Sequence, residues 1–210
     1  MKPIVKTYPV GQMGNNTYLF GDPESKQAVL IDPAFESSVV LPEIETEGWQ
    51  LTHILLTHAH FDHTYGIYEL SQALPSVPPI ALHRCDKDLY ESGGLGELMG
   101  LQRDPLPQPT IWLEEGTIIR VGSQVLLTRH CPGHTPGHVF FYSDAAKTAF
   151  VGDIIFLQGI GRTDLPGGSE SVLLKNIAAH IFSLPAETHL LPGHGPATTV
   201  AKERAHNPFF

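Results

Sequence analysis

Seven consecutive residues constrain this chain more than anything else in it: Thr57, His58, Ala59, His60, Phe61, Asp62 and His63, which follow the apolar run Ile54, Leu55, Leu56. Three imidazoles and a carboxylate fall within six positions. Donors at that density after a buried strand point to a metal site rather than to scattered surface or core histidines. The run at 54–57 reads as a strand, on which residues two apart face the same way. His58, His60 and Asp62 are therefore expected on one face, with the turn into a helix over 64–74 swinging His63 to a neighbouring position. One short segment can thus offer ligands to two adjacent ions.

Three further stations carry candidate ligands. Pro132, Gly133, Pro136 and Gly137 build a tight loop after a strand, able to present His134 inward, while His138 opens the next strand and reads as support or packing. Asp153 follows the apolar strand 148–152, where an unpaired carboxylate is costly to bury and a metal resolves the cost. His194 stands between Gly193 and Gly195 after a short strand at 189–191. Asp32, which ends a strand at 28–31 ahead of Pro33, either caps the turn or supports the metal-bearing loop. Their shared place at strand ends is the argument, because one sheet edge can gather distant loops. His53, His83, His130, His180, His189 and His206 lack that setting and are read as structural.

The 210 residues contain no linker, repeat or low-complexity break and fit one domain over 1–210. Strands are expected at 4–10, 16–21, 28–31, 79–83, 110–113, 117–121, 124–129, 138–142 and 148–152, and helices at 37–47 and 169–183. Residues 85–100 are ambiguous, a helix interrupted at Gly93 and Gly94 that borders the site. Strands flanked by helices in two halves predict an α/β (α+β) fold with two sheets packed together and helices outside. The net charge of -9 argues against a nucleic-acid partner. No window approaches the roughly 18 apolar residues of a membrane span, and the start of the chain has no signal-like apolar core, so a cytoplasmic protein acting on small molecules is expected. Cys85 and Cys131 are too few for a disulfide framework and are expected as thiols.

These motifs together resemble the metallo-β-lactamase superfamily: Asp32, the run from His58 to His63, Gly133 with His134, Gly152 with Asp153, and Gly193 with His194, in order and nearly end to end. The resemblance implies an αββα sandwich of two mixed β-sheets flanked by helices, with metals at one edge. It implies that His58, His60 and His134 hold one metal, that Asp62, His63 and His194 hold the other, and that Asp153 bridges them. His60 resembles the hydrolases rather than the flavodiiron redox branch, and Asp153 sets the chain apart from true β-lactamases. Within the superfamily the chain is similar to glyoxalase II, the hydroxyacylglutathione hydrolase, and its short single-domain relatives. Residues 159–164 match a glycine-rich loop near substrate in those enzymes, and Arg162 stands at its basic position; the alternative is an arginine simply paired with Asp164. Full-length glyoxalase II continues past an Asn-Pro-Phe motif into a basic helical segment that grips glutathione. Here Asn207, Pro208, Phe209 and Phe210 are the last residues, so that clamp is expected to be missing or rebuilt.

The implied activity is that of a dinuclear metallohydrolase. It would use two divalent ions, zinc first, with iron or manganese as alternatives, and its catalytic residues would be Asp62 and Asp153. Such a pair of ions ionises water near neutral pH and gives a hydroxide nucleophile. A thioester such as S-lactoylglutathione is the expected substrate, because a thiol departs as thiolate without a proton donor and an amine does not. Two alternatives stay open: a persulfide dioxygenase with one iron, which shares the run 161–164, and a non-catalytic metal-binding module.

Overall fold

The structure is a computed structural model and describes residues 1–101 and 105–210. Strands β1 (Ile4–Val10), β2 (Asn15–Gly21), β3 (Gln27–Ile31), β4 (Gln50–Leu55), β5 (Ile80–His83) and β6 (Ile111–Leu113) form the first sheet in sequence order. The second sheet takes β7 (Ile118–Val121), β8 (Gln124–His130), β9 (Val139–Ser143) and β10 (Thr148–Gly152). After a two-stranded hairpin of β11 (Ile155–Phe156) and β12 (Gly159–Ile160) it adds β13 (His189–Pro192) and β14 (Thr198–Thr199), in the order β14-β13-β10-β9-β8-β7. Both large sheets are mixed. β3, β4, β5 and β6 run parallel in one, and β10 and β13 in the other.

Central strands read as unbroken apolar runs because both of their faces are covered. Along β3, Val29 and Ile31 face the second sheet, where they pack with Phe141 and Phe150, while Ala28 and Leu30 face out towards Val40, Ile44, Ile67 and Leu70. Those outer residues come from a 3-10 turn (Ser37–Val40), α1 (Leu41–Glu47) and α3 (Gly66–Ala73), a helix that follows the short α2 (Phe61–Thr64). Past α4 (Lys87–Glu91), the other flank repeats the arrangement. Phe140, Ala149 and Leu190 of the second sheet pack against Leu173 of α5 (Glu170–Asn176), Ile177 and Ile181 just beyond it, and Val200 of α6 (Val200–His206). The result is helix, sheet, sheet, helix, as expected.

Local boundaries differ where the chain chemistry is weak. β4 ends at Leu55 and α2 begins at Phe61, so His58 and His60 lie in the intervening loop while Asp62 and His63 sit in a helical turn. The expected helix over 64–74 instead starts after Thr64, at Gly66. A Cβ at Gly66 would stand 1.9 Å from the Ala34 carbonyl oxygen, so only glycine allows that close passage. Residues 169–183 form α5 followed by a π-helical turn at Ile177–Ile181. Cys85 is exposed and Cys131 buried, with no bond between them. No helix among the described residues is long and apolar enough to cross a membrane.

Candidate metal centre

The carboxyl ends of β3, β4, β8, β10 and β13 lie along one edge of the sandwich, and the candidate side chains are delivered there. Two backbone bonds tie the sheets together at this edge. Val139 N–H donates to the Thr57 carbonyl (2.8 Å), and Asn16 N–H donates to the Gly193 carbonyl (2.7 Å). His58, His60 and His134 each bring a donor atom within 4.8 Å of the others, and so do Asp62, His63 and His194. Asp153 stands between the two groups, with its carboxylate 3.7 Å from His134 Nε2, 3.5 Å from His63 Nε2 and 3.7 Å from His194 Nε2. The seven residues singled out in the sequence therefore surround one small volume.

Four of the five imidazoles are held from behind through Nδ1. His58 Nδ1 lies 3.0 Å from the Thr57 hydroxyl, which already donates its proton to Asp32 Oδ2 (2.6 Å) and can only accept from the ring. His63 Nδ1 faces Asp32 Oδ2 (3.2 Å), His134 Nδ1 faces the Arg162 carbonyl (2.7 Å) and His194 Nδ1 faces the Met13 carbonyl (3.2 Å). Each acceptor draws the ring proton to Nδ1 and turns the Nε2 lone pair into the cavity. His60 is the exception: its Nδ1 lies 2.9 Å from His134 Nε2.

Those atoms supply the test of whether a metal fits. Nε2 of His58, His60 and His63 and Oδ1 of Asp153 are buried with no hydrogen-bond partner. Orphaned buried polar atoms are costly; those of His58, His63 and Asp153 belong to the clustered donor residues, and His60 brings Nδ1 to the same space, 2.9 Å from His134 Nε2. A grouping of Asp32, His58 and His63 is equally tight. Asp32, however, is already engaged by Thr57 N–H (2.7 Å), the Thr57 hydroxyl and His63, so it supports the loop instead of facing the cavity.

The electrostatics suit a cation. Burial, then the neighbouring imidazoles led by His63, hold His58 well below the ordinary histidine range. Burial and His134 take His60 down to about 3. Burial opposes ionisation of Asp62, but His63, His194 and Asn15 overcome it and lower its pKa to about 2. Burial likewise opposes Asp153, yet His63, His134 and His194 hold it far below the usual carboxylate range. His63 shows the converse: burial works against its proton, but Asp153, Asp62 and Asp32 raise its pKa well above the ordinary value. With Asp62 and Asp153 ionised beside the neutral rings of His58 and His60, the site favours a cation, whose binding would displace the His63 proton.

Asn15 and Asn16 were not singled out in the sequence. Asn15 Nδ2 donates to Asp62 Oδ2 (3.0 Å), and Asn16 Nδ2 donates to the carbonyls of Pro192 (3.0 Å) and Gly195 (2.8 Å), fixing the loop that carries His194. Two asparagines opening a fully buried strand were the readable hint. His138 stacks on His58 (4.7 Å between centroids) and its Nε2 accepts from Asp153 N–H (3.0 Å), which matches its reading as support. The Arg162 guanidinium is exposed and makes two bonds to Asp164 (2.8 and 2.7 Å) while still lining the cavity.

The sequence matches the family profile described as the metallo-beta-lactamase superfamily over residues 10–195. It is 35% identical over 207 residues to the hydroxyacylglutathione hydrolase GloC of Haemophilus influenzae, covering 98% of this chain and 97% of that protein. It is also 35% identical over 197 residues to the human mitochondrial persulfide dioxygenase ETHE1, covering 91% of this chain and 70% of the relative. Among solved structures, TTHA1623 in a di-iron-bound form superposes with a TM-score of 0.87 at 39% identity, over 98% of this chain and 100% of that one. The His and Asp clusters in this fold indicate divalent metal ions.

Proposed function

Since the chain belongs to the metallo-beta-lactamase superfamily, we propose that it is a dinuclear metal-dependent hydrolase of thioesters, acting as a single domain. His58, His60 and His134 would hold one divalent ion and Asp62, His63 and His194 the other, with Asp153 shared. When bound, such ions supply Lewis acidity that ionises water near neutral pH and polarises a carbonyl. The observation carrying this reading is the set of Nδ1-anchored histidines, of which His63, His134 and His194 bring Nε2 within 3.7 Å of the Asp153 carboxylate. Zinc is proposed first. The nitrogen and oxygen donor set also accepts iron, which the di-iron neighbour contains.

The lining of the cavity favours thioesters over amides. Apart from the proposed ligands, Arg162 is the one titratable side chain lining it among the described residues, and its guanidinium stays protonated at any ordinary pH. An amine leaving group would lack a proton donor, whereas a thiol with a pKa near 8.5 departs as thiolate. Asp62, tied by Asn15 and His194, would orient the attacking water as well as hold metal. The similarity to hydroxyacylglutathione hydrolase makes S-lactoylglutathione the first substrate to try.

The similarity to ETHE1 favours one other reading, a persulfide dioxygenase with a single iron. Turnover of S-lactoylglutathione and simpler thioesters by metal-loaded protein, with oxygen uptake followed in parallel, separates the two. Asp62→Ala is expected to lower thioesterase activity by about a hundredfold. Equal rates in both proteins remove the proposed site, and oxygen consumption without thioester hydrolysis favours the alternative.

A further inference from the structure

The metal cavity, about 370 Å³, opens beside a second hollow of about 500 Å³. Met13, Phe61 and Met99 line both, so the two hollows adjoin across these side chains as a two-part trough leading away from the proposed metal ligands. Leu98 and Leu165 extend its apolar wall on the metal side, and Phe35 does so on the far side. Leu98 is 68% exposed, Met99 63% and Met13 48%. Large apolar side chains clustered in water at the mouth of a cleft mark a surface that a ligand covers. Leu98 and Met99 sit on a 3-10 turn, Gly96–Met99, just after Gly94, whose carbonyl accepts from Phe61 N–H (3.0 Å). The apolar rim is thus tied directly to the loop that bears Asp62 and His63.

Charge along the trough narrows the ligand further. Among the described residues, Arg162 is the sole lysine or arginine lining either hollow, and it is already paired with Asp164. The far hollow carries the carboxylates of Glu36 and Glu69, and the Glu69 carboxylate accepts from Glu36 N–H (2.8 Å) and Ser38 N–H (3.4 Å). A carrier bearing carboxylates would meet negative charge at the far end. An uncharged apolar arm would cover the leucines and methionines, and methionine adapts to varied shapes.

We propose that the trough binds an uncharged apolar arm, aliphatic or aromatic, attached to the scissile thioester; this rests on the thioesterase reading above. Hydrolysis forms a C–O bond from water and breaks the C–S bond, whose electron pair leaves with sulfur. The arm itself does not react, so either side of the thioester can carry it, and two substrate series distinguish the sides. One lengthens the acyl chain on N-acetylcysteamine from acetyl to octanoyl, and the other lengthens an alkyl thiol under a constant acetyl group.

On one of the two series, kcat/KM for the metal-loaded protein is expected to rise about two- to fourfold per methylene. The Leu98→Ser, Met99→Ser double variant is expected to flatten that rise. Profiles flat in both series, or a rise the variant leaves intact, overturn the proposal while the thioesterase reading stands. If no thioester is hydrolysed, that reading fails, and calorimetry with the matching non-hydrolysable alkyl thioethers judges the trough. Affinity that climbs with chain length in wild type but not in the variant sustains it, and absent or flat binding overturns it.

Discussion

Asp86 offers the sharpest check on how the two metal-bearing loops are held, because it belongs to neither. Its carboxylate is fully buried and accepts from Gly137 N–H (2.6 Å), the Thr135 hydroxyl (2.7 Å) and Ala59 N–H (3.2 Å). Ala59 lies between His58 and His60, and Thr135 follows His134, so one side chain braces the three imidazoles proposed for one metal. Burial raises the Asp86 pKa, and these three bonds pull it back. Asp86→Ala would leave up to three buried donors unmet at about 1–3 kcal/mol each. The Thr135 hydroxyl can turn elsewhere and the Ala59 bond is long, so a loss of about 3–5 kcal/mol is expected. Asp86→Asn keeps the shape and one acceptor. If its oxygen serves Ala59 and Thr135, its amide opposes Gly137 N–H, for about 1–3 kcal/mol.

The decisive readout is metal affinity of the folded Asp86→Asn protein, titrated against a competing chelator, beside denaturant unfolding without metal. Metal affinity is expected to fall by about 10–100-fold, as for side chains that orient ligands. Wild-type affinity together with wild-type stability would refute the bracing argument. Lost stability with unchanged affinity would confine Asp86 to folding.

Two further outcomes follow from the same geometry. A Cβ at Gly193 would lie 2.3 Å from Asp153 Oδ1 and 2.5 Å from His63 Cε1. Gly193→Ala should therefore lower bound metal per chain, measured by elemental analysis, and full occupancy would contradict this. Asp22 accepts from Ser123 N–H, the Ser25 hydroxyl and Glu24 N–H, and Ser123 N–H leads in lowering its pKa to about 2. A carboxylate depressed in the fold adds stability above its unfolded pKa of about 3.8 and loses it as pH falls through about 2. The advantage of wild type over Asp22→Asn in denaturant unfolding should shrink across that window, and a constant gap would be inconsistent with it.

The residues that gather at the candidate site stood out in the sequence because their chemistry is local: donors crowded after apolar strands, glycines and prolines around His134 and His194, a carboxylate at a buried strand end. The sandwich was legible because strands covered on both faces lose polar alternation. What the sequence hid depends on distant partners. Asn15, Asn16 and Asp86 become meaningful only when strands far apart in the chain meet. The start of α2 was hidden for a different reason, since His60 at its N-cap makes no side-chain cap bond and the usual signal is missing. Two-residue strands such as β11, β12 and β14 are too short to show a period. The α6 helix did carry a readable cap, with Thr199 accepting from Lys202 N–H (3.2 Å).

The metal content of the purified protein, counted per chain by elemental analysis alongside thioester turnover, bears most directly on the central claim. About two divalent ions per chain are expected, with hydrolysis lost on chelation and restored on reloading. A single tightly held iron accompanied by oxygen consumption, or full thioesterase activity in rigorously metal-free protein, would contradict it.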